Sequence, residues 1–394
     1  MNITRTALSA ATLRVIGVQR RTTRHPSQAP DGADGPGLFA LSAGSGRFGI
    51  RLEPEPALEQ LRQGGVERAL GLDELDALDL AEAFQLSHAV FVLHDLGIFA
   101  ALKQPMTAEE LSATHSLDPV MLRGVLEYVA ARTDLLRKSG ARFVTTRKYL
   151  EEAGFLLNLY IGAYGGNALQ LAELLRHPSA ASGAVDQVHH AQAFAAVAGP
   201  SLGLLPAIVR QLGFNHILDL GCGNGALLVE LAERDSQFVG WGVDLNPAMC
   251  KLARTTIRAA RLGKRVRILE GDCRNLSSVL PQHLSGRIRA LTACNVANEM
   301  FRDGHSQAIA WLRSLRESFR GRPLLIADYY GRLGRKGRAS RETLLHDYVQ
   351  LISGQGVPPA SAAEWRSIYA QAGCQLVHII EDKATTRFIH VLHL

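Results

Sequence analysis

The spacing of apolar residues divides the chain into a helical front and an α/β rear. In residues 72–102 apolar side chains recur every three or four positions, which predicts amphipathic helices. Thr107 and Glu110 have the spacing of a capping box, Asp118-Pro119 can begin a further helix, and residues 135–145 have the pattern of two short strands. Helix, turn, helix and hairpin in this order predict a winged-helix module.

From Gly213 onward, short apolar runs alternate with helical patterns, as in a parallel sheet with crossover helices. The runs are residues 217–220, 238–243, 266–269, 288–293, 324–327, 375–380 and 388–394. The last two are separated by a short polar turn, so they can pair as an antiparallel hairpin at the sheet edge. The predicted fold class is α/β, with a seven-stranded Rossmann-like sheet. We divide the chain into a loosely ordered segment (1–70), a helical domain (71–195) and the α/β domain (196–394).

Composition narrows the class of protein. The chain has 394 residues, 47% of them hydrophobic, and polar residues interrupt every apolar stretch, so a membrane span is not expected. The formal charge of +6 is concentrated at the start of the chain and around residues 332–341, and does not by itself favour nucleic acid. Five cysteines without CxxC spacing suit a cytoplasmic location, although the Arg-rich N-terminus is also compatible with an organelle transit peptide.

Acidic residues and glycines follow the first three predicted strands. The first ends in Asp219-Leu-Gly221-Cys-Gly223-Asn-Gly225, the second in Asp244 and the third in Gly-Asp272. Glycines let the backbone approach a ligand closely, and ligands of open α/β sheets bind beyond the carboxyl ends of the strands. The three acids could accept hydrogen bonds from a ribose, an adenine amino group and a cationic aminoacyl group. Each acid taken alone could equally be a helix N-cap or a solvated loop residue.

This arrangement resembles the class I methyltransferases, and the helical front makes it similar to the winged-helix small-molecule O-methyltransferases of plants and bacteria. The resemblance covers about residues 80–394 and implies S-adenosylmethionine as cofactor, a small-molecule substrate and a homodimer formed by the front domain. The residues that it implies in cofactor binding are Asp219, Gly221, Gly223, Asn224, Asp244, Leu245, Asp272, Cys273 and Asn295.

One motif departs from that family. Members that methylate hydroxyls carry a His-Asp-Trp run after the fourth strand, with His as general base, whereas this chain has Asn298-Glu299-Met300. An asparagine cannot take a proton, but a thioether or an unprotonated amine needs no base. We therefore predict a thioether or amine acceptor, with S-methylation of a methylthio acid in dimethylsulfoniopropionate synthesis as one possibility. The alternative is an O-methyltransferase that acts on a phenol or hydroxyl with a different base.

Side chains that could meet the acceptor come from several segments. Candidate catalytic residues are Asn298, Glu299, Tyr160 and His190. Candidate substrate residues are Tyr164, Asn167, His189, Tyr329, Tyr330, Arg332 and His346. Ordinary packing explains the tyrosines equally well, and a solvated linker explains His189 and His190. The basic residues 332–341 form a solvated surface or a lid for a carboxylate-bearing substrate. No ligand spacing indicates a metal site.

Two other classes of protein share part of these sequence patterns. A winged-helix DNA-binding regulator would need a basic recognition helix, but residues 119–132 are mostly apolar with only Arg123 and Arg132 basic. An NAD-dependent dehydrogenase also uses a glycine-rich first turn, but it does not need Asp219 before the first glycine or the Gly271-Asp272 pair. A methyltransferase acting on nucleic-acid bases is not favoured, because the fourth strand lacks the Asn/Asp-Pro-Pro-Tyr run.

Overall fold

The computed structural model describes residues 77–149, 153–195, 200–335, 339–382 and 386–394. The chain forms two compact units, one within Arg68–Val197 and the other within Ala198–Leu394. The segment predicted as loosely ordered, residues 1–70, lies outside the described residues. The three-part division of the chain stays a prediction.

The first unit is mostly helical and contains one small sheet. Its elements are α1 (Ala77–Asp95), α2 (Ile98–Ala101), β1 (Met106–Thr107), α3 (Ala108–His115), α4 (Pro119–Arg132), β2 (Leu136–Ser139), β3 (Arg142–Thr145), α5 (Ala153–Leu156), a π-helix (Leu157–Ala163), α6 (Gly165–Leu169), α7 (Leu171–Arg176), a 3₁₀ helix (Pro178–Ala184) and α8 (Gln187–Ala195). The sheet has the order β1-β3-β2 and is antiparallel.

Local sequence signals explain the start of this unit. Thr107 and Glu110 form the predicted capping box at α3, and the Asp118 side chain accepts from the backbone N–H of Met121 at the start of α4. The hairpin β2–β3 packs Leu136 and Phe143 into a core shared with α1, α3 and α4. Helix, turn, helix and hairpin therefore follow one another as predicted, and the short strand β1 joins them.

The second half of this unit differs from the prediction. The apolar pattern of residues 149–175 predicts a helical stretch, but from Ala153 onward the chain folds as short segments around the π-helix. A Cβ on Gly162 would lie 2.9 Å from Cβ of His189 and 3.0 Å from Cε2 of Phe91, so glycine here permits close packing of three segments. The Ala- and His-rich composition of residues 177–199 predicts a linker, which is wrong where α8 forms. Asp186 caps this helix by accepting from the backbone N–H groups of Val188 and His189.

The second unit alternates strands with helices. Its elements are α9 (Pro200–Gln211), β4 (His216–Leu220), α10 (Ala226–Arg234), β5 (Val239–Asp244), α11 (Pro247–Ala259), β6 (Val266–Glu270), a 3₁₀ turn (Cys273–Asn275), α12 (Leu276–Val279), α13 (Gln282–Ser285), β7 (Ala290–Cys294), a second 3₁₀ turn (Ala297–Met300), α14 (Ser306–Ser318), β8 (Pro323–Tyr329), α15 (Arg341–Ile352), α16 (Ala362–Gln371), β9 (Gln375–Asp382) and β10 (Arg387–His393).

These seven strands form the predicted α/β sheet, in the order β6-β5-β4-β7-β8-β10-β9. The first five are parallel, and β10 runs antiparallel to both neighbours, so the last hairpin places β10 inside the sheet and β9 at its edge. Both faces are covered: Leu218 belongs to one apolar layer and its neighbour Ile217 to the other. Burial on both faces explains why the strands appear in the sequence as continuous apolar runs.

No helix of the described residues combines the length and the apolar character needed to cross a membrane. In the same part of the chain, no group of three or more His, Cys, Asp or Glu side chains is arranged to hold a metal ion.

Candidate active site

The turn between β4 and α10 is built from glycines in left-handed backbone conformations. Gly221, Gly223 and Gly225 have φ angles of 62°, 53° and 77°. A Cβ on Gly221 would lie 2.3 Å from Cγ2 of Val296, whereas the same atom on Gly223 would meet nothing within 4 Å. The first glycine is therefore required by the packing of the protein, and the second leaves open space beside the backbone for a ligand.

Asp244, at the end of β5, holds this turn in place. Its Oδ2 accepts from the backbone N–H of Gly223 at 2.8 Å, and its Oδ1 accepts from the backbone N–H of Asn246 at 2.9 Å. Each carboxylate oxygen has a further lone pair for a ligand hydroxyl. The next side chain, Leu245, is 59% exposed and offers an apolar surface beside the carboxylate.

Asp219 lies below the turn and is almost fully buried. The Thr292 hydroxyl donates to its Oδ1 at 2.6 Å. Burial raises the pKa of Asp219 to about 7, the hydroxyl partly opposes this, and the carboxylate of Asp244 raises it further. Thr292 was not predicted as a site residue, because a threonine inside a buried apolar strand carries no distinguishing pattern.

Asp272 behaves as a helix cap in addition to any ligand role. It accepts from the backbone N–H of Arg274 at 2.8 Å and forms an ion pair with the same guanidinium. Burial acts to raise the pKa of Asp272, but the bonds from Arg274 outweigh it, so the pKa lies below its usual value. Burial raises the pKa of the adjacent Cys273 thiol to about 12, so it stays protonated at neutral pH.

The loop after β7 carries the residues that replace the expected His-Asp-Trp run. Asn295 has a left-handed φ of 53°, and its Oδ1 accepts from the Arg387 guanidinium at 3.4 Å. Asn298 is 1% exposed, and its backbone N–H donates to Oδ2 of Asp328 at 3.0 Å. The side-chain Oδ1 of Asn298 has no hydrogen-bond partner among the described residues. No imidazole base stands at this position.

Asp328 is a further site residue that the sequence analysis missed. It lies near the end of β8, is fully buried, and accepts from the backbone N–H groups of Asn298 and Tyr329. Burial raises the pKa of Asp328 to about 7, although these backbone bonds oppose the shift. An acid near the end of the fifth strand is the signal that could have identified it, by analogy with Asp244 after the second.

Glu299 completes an acidic group around the open turn. Its side chain is exposed to solvent. Partial desolvation by the surrounding protein, together with the carboxylates of Asp244 and Asp328, raises the pKa of Glu299 to about 7. Asp219 is in turn influenced by Asp244. Asp219, Asp244, Asp328 and Glu299, here called the carboxylate group, thus share one electrostatic environment.

The candidates near the end of β8 have structural partners. The Tyr329 hydroxyl donates to Asp347 at 2.9 Å, and Tyr330 donates to Glu381 at 2.5 Å. Arg332 donates from its Nη1 to the carbonyl of Ala360 at 2.7 Å, while its buried Nε has no partner among the described residues. Arg332 lines a cavity of about 260 Å³, together with Tyr330, Ser361, Glu381, Asp382 and Thr386. His346 packs edge-on against the Tyr329 ring.

The predicted basic lid is only partly described. Arg335 forms an ion pair with Glu364 at 3.6 Å, so its charge is neutralised locally. Lys336 and Arg338 lie outside the described residues. Arg332 is the member of this group that lines the cavity beside Tyr330.

The front-domain candidates all lie in the first unit. Tyr160 is half-buried in the π-helix, and Asn167 is fully buried with its amide donated to the carbonyl of Ala181 at 2.7 Å. Tyr164 is 3% exposed and packs edge-on against His190, whose pKa burial lowers to about 4. His189 on α8 lies between Asp95 (3.2 Å) and Asp186 (3.0 Å).

The basic residues of the predicted winged-helix module are largely neutralised. Arg123 pairs with Glu109, Arg132 with Glu82, Lys138 with Glu127 and Arg142 with Glu110. Val120 and Met121, at the start of the helix that would have to enter a DNA groove, are 75% and 72% exposed. An apolar helix surface with paired charges is not suited to phosphate contacts, which argues against the DNA-binding alternative.

Comparison with known proteins agrees with this geometry. Residues 217–315, from β4 into α14, match a family described as a methyltransferase domain. The chain contains a methyltransferase domain, with S-adenosylmethionine as its methyl donor. The match begins at the strand that leads into the glycine turn. The dehydrogenase alternative is thereby set aside.

The chain is also similar to individual proteins. It is 25% identical over 299 residues to an indolepyruvate C-methyltransferase of Streptomyces griseus, covering 73% of this chain and 85% of that protein. A carboxy-S-adenosyl-L-methionine synthase of Chromohalobacter salexigens is 42% identical over 82 residues, which span 20% of this chain and 30% of that protein.

Solved structures share the fold at low sequence identity. A mitomycin 7-O-methyltransferase matches with a TM-score of 0.63 and 17% identity, covering 80% of this chain and 96% of that one. Human N-acetylserotonin methyltransferase matches with a TM-score of 0.59 and 15% identity, covering 86% of this chain and 98% of that one. These likenesses concern the fold alone.

Proposed function

We propose that this methyltransferase transfers the methyl group of S-adenosylmethionine to an uncharged nucleophile, a thioether or an amine, on a small molecule. The observation that carries the proposal is the carboxylate group around the open glycine turn, together with Asn298 in place of a base. The reaction class is methyl transfer to a small molecule. The identity of the acceptor atom is our proposal.

The residues present fit the cofactor. Gly223 leaves space beside its backbone for the donor, and Asp244 has lone pairs available for two ribose hydroxyls. We assign Leu245 to apolar contact with the adenine, Asp272 and Cys273 to its amino edge, and Asp219, Gly221, Asn224 and Asn295 to the turn that faces the aminoacyl end. When bound, the cofactor supplies an electrophilic methyl group on a cationic sulfur.

The four acids of the carboxylate group affect the acceptor through their negative charge. In transfer to a thioether or amine, the positive charge moves from one atom to another and persists in the product, so nearby carboxylates stabilise reactant and product alike. A phenolate acceptor would instead have to carry its own negative charge beside Glu299 and Asp328. Like charges raise the pKa of such a phenol and oppose its ionisation. This reasoning favours the uncharged nucleophile.

A carboxylate on the acceptor is the second part of the proposal. Arg332 lines the cavity beside Tyr330, and its Nε is buried without a partner among the described residues, so a carboxylate ligand could accept from it. Glu381 and Asp382 also line this cavity and would discourage a second negative charge. A thioether monocarboxylate, such as the methylthio acid that precedes dimethylsulfoniopropionate, is the acceptor to test first.

One observation favours a second candidate, in which the acceptor loses a proton. A carboxyl group with a pKa of about 7, such as Glu299, is suited to act as a general base at neutral pH. The acceptor would then be a phenol or an acidic carbon next to a carbonyl. The name of the Streptomyces relative, which describes C-methylation of indolepyruvate, gives this candidate a carboxylate-bearing example. Tyr160 and His190 remain proposed acceptor-side residues in either case.

An acceptor panel tests the proposal. Thioether acids, primary amines, phenols and 2-oxo acids are each incubated with the protein and S-adenosylmethionine, and S-adenosylhomocysteine and the methylated product are measured by mass spectrometry. We expect product with a thioether acid or an amine, and a raised KM for that acid in Arg332→Gln but not in Arg335→Gln. Turnover confined to phenols or 2-oxo acids, and lost in Glu299→Gln, would replace the proposal by the second candidate.

A further inference from the structure

A second concave site lies at the opposite ends of the strands. The glycine turn and the carboxylate group follow the carboxyl ends, whereas this cavity lies beside the amino-terminal parts of β5 and β6. Its volume is about 190 Å³, and it is lined by Val239, Trp241, Lys264, Arg265, Arg267, His283, Leu284 and Arg287. Five of these eight residues are basic and none is acidic. We call it the basic cavity.

The cations of the basic cavity differ in how the protein holds them. Lys264, Arg267 and Arg287 are exposed, and none of them forms an ion pair with a carboxylate in the described part of the chain. Arg265 is held differently, because its guanidinium donates to the backbone carbonyls of Ala232, Asp235 and Phe238. The cavity therefore has one fixed cation at its wall and three that are free to turn toward a ligand.

The positive charge of the basic cavity affects neighbouring side chains. His216, at the start of β4, has its pKa lowered by burial and by the guanidinium groups of Arg287 and Arg289. The guanidinium of Arg287 lies over the Trp241 ring at 5.5 Å from its centre. Like charges gathered at one place repel each other, and an anion between them would relieve that repulsion.

We propose that the basic cavity binds a short oligophosphate, such as the phosphate chain of a nucleotide, as a ligand distinct from the methyl donor and acceptor. Several cations around one small volume match a ligand that carries several negative charges on a compact chain. The volume is below the range of about 300–1,000 Å³ that is usual for drug-sized ligands, which suits a phosphate chain better than a whole organic cofactor. The cations that line the cavity surround one concavity, which favours a small ligand over a nucleic-acid duplex.

Calorimetric titration with tripolyphosphate at fixed ionic strength tests this proposal. The double variant Lys264→Gln/Arg267→Gln removes two of the free cations, and the double variant Arg258→Gln/Arg313→Gln removes the same charge from exposed positions that do not line the cavity. We expect the first pair to weaken binding about tenfold, at about threefold per near-surface charge, and the control pair less than twofold. Unchanged S-adenosylmethionine affinity in both confirms that they fold, and Arg287→Gln gives a second, independent reading.

Four outcomes would overturn the proposal: no binding of tripolyphosphate at millimolar concentration, equal weakening by both double variants, equal binding of citrate, or tighter binding of a DNA or RNA duplex through the same residues. Adenosine triphosphate and tripolyphosphate are compared to distinguish a nucleotide from a free phosphate chain. None of these measurements depends on the acceptor, so their failure and that of the proposed methyl transfer are separable.

Discussion

The variant Asp244→Asn removes the negative charge of Asp244, which links the glycine turn to the end of β5. The asparagine keeps the size of the side chain, and its oxygen can still accept from the backbone N–H of Asn246. The amide nitrogen, however, takes the place of the oxygen that faces the backbone N–H of Gly223 at 2.8 Å, so two donors meet there. The variant also loses the charged acceptor for the ribose hydroxyls.

The expected loss follows from the bond type. Hydrogen bonds to a charged group contribute about 1.5–3 kcal/mol, so losing the carboxylate should weaken S-adenosylmethionine binding by about 2–3 kcal/mol, or roughly 30- to 150-fold. Isothermal titration calorimetry measures the affinity, and thermal unfolding without cofactor confirms that the variant is folded.

Asp235→Asn is the matched control. The carboxylate of Asp235 also accepts from a backbone N–H two residues later, that of Gln237 at 2.8 Å, but it lies on the loop before β5 at the other end of that strand. We expect its affinity to match the wild-type protein. Unchanged affinity in a folded Asp244→Asn, or equal loss in both variants, would refute the assignment of Asp244.

Three further predictions concern protons and assembly. Binding of S-adenosylmethionine at pH 7 should release between about 0.5 and 1.5 protons, because a cationic ligand lowers the pKa values near 7 of Asp219, Asp328 and Glu299; calorimetric heats that do not vary with the ionisation enthalpy of the buffer would contradict this. His189 has a pKa raised by Asp186 and Asp95 despite its burial, so its charged form stabilises the fold at low pH and the contribution is lost as the pH rises through that pKa. His189→Gln should therefore cost about 1 kcal/mol in denaturant unfolding at pH 5.5 and less at pH 9, while exposed His177→Gln should cost little at either pH; an equal cost for His189→Gln at both pH values would disprove the ion pair. We also expect a homodimer through residues 72–149, since Leu78, Val120 and Met121 are 73%, 75% and 72% exposed; light scattering that gives a monomer at micromolar concentration would rule it out.

Strands and caps were the features that the sequence specified best. A buried parallel strand is apolar on both faces, and the runs at residues 217–220 and 266–269 lie within β4 and β6. The capping box at Thr107 and the N-cap at Asp118 formed as predicted, because each depends on a contact between residues only three positions apart in the sequence. The glycine turn could also be predicted from the sequence, because a left-handed backbone conformation restricts the residue type.

Features that depend on tertiary packing were not predicted. The π-helix at Leu157–Ala163 and helix α8 fit together at Gly162, a contact between segments 27 residues apart in the sequence that no periodicity reveals. Thr292 gained its role only when β7 placed it beside Asp219 of β4, and Asp328 only when β8 placed it beside the backbone of Asn298. The raised pKa of Glu299 likewise comes from neighbours distant in sequence.

The pH dependence of a single turnover tests the central claim most directly. Enzyme loaded with S-adenosylmethionine is mixed with an excess of the thioether acid identified in the acceptor panel, and product is measured by rapid quench between about pH 5.5 and 8.5, a range that spans the pKa of about 7 of Glu299. An uncharged thioether needs no proton removed, so the account predicts a rate constant that varies by less than about twofold, in the wild-type protein and in Glu299→Gln. A rate constant that climbs about tenfold per pH unit below pH 7 and levels off above it, or that falls about a hundredfold or more in Glu299→Gln, would contradict it.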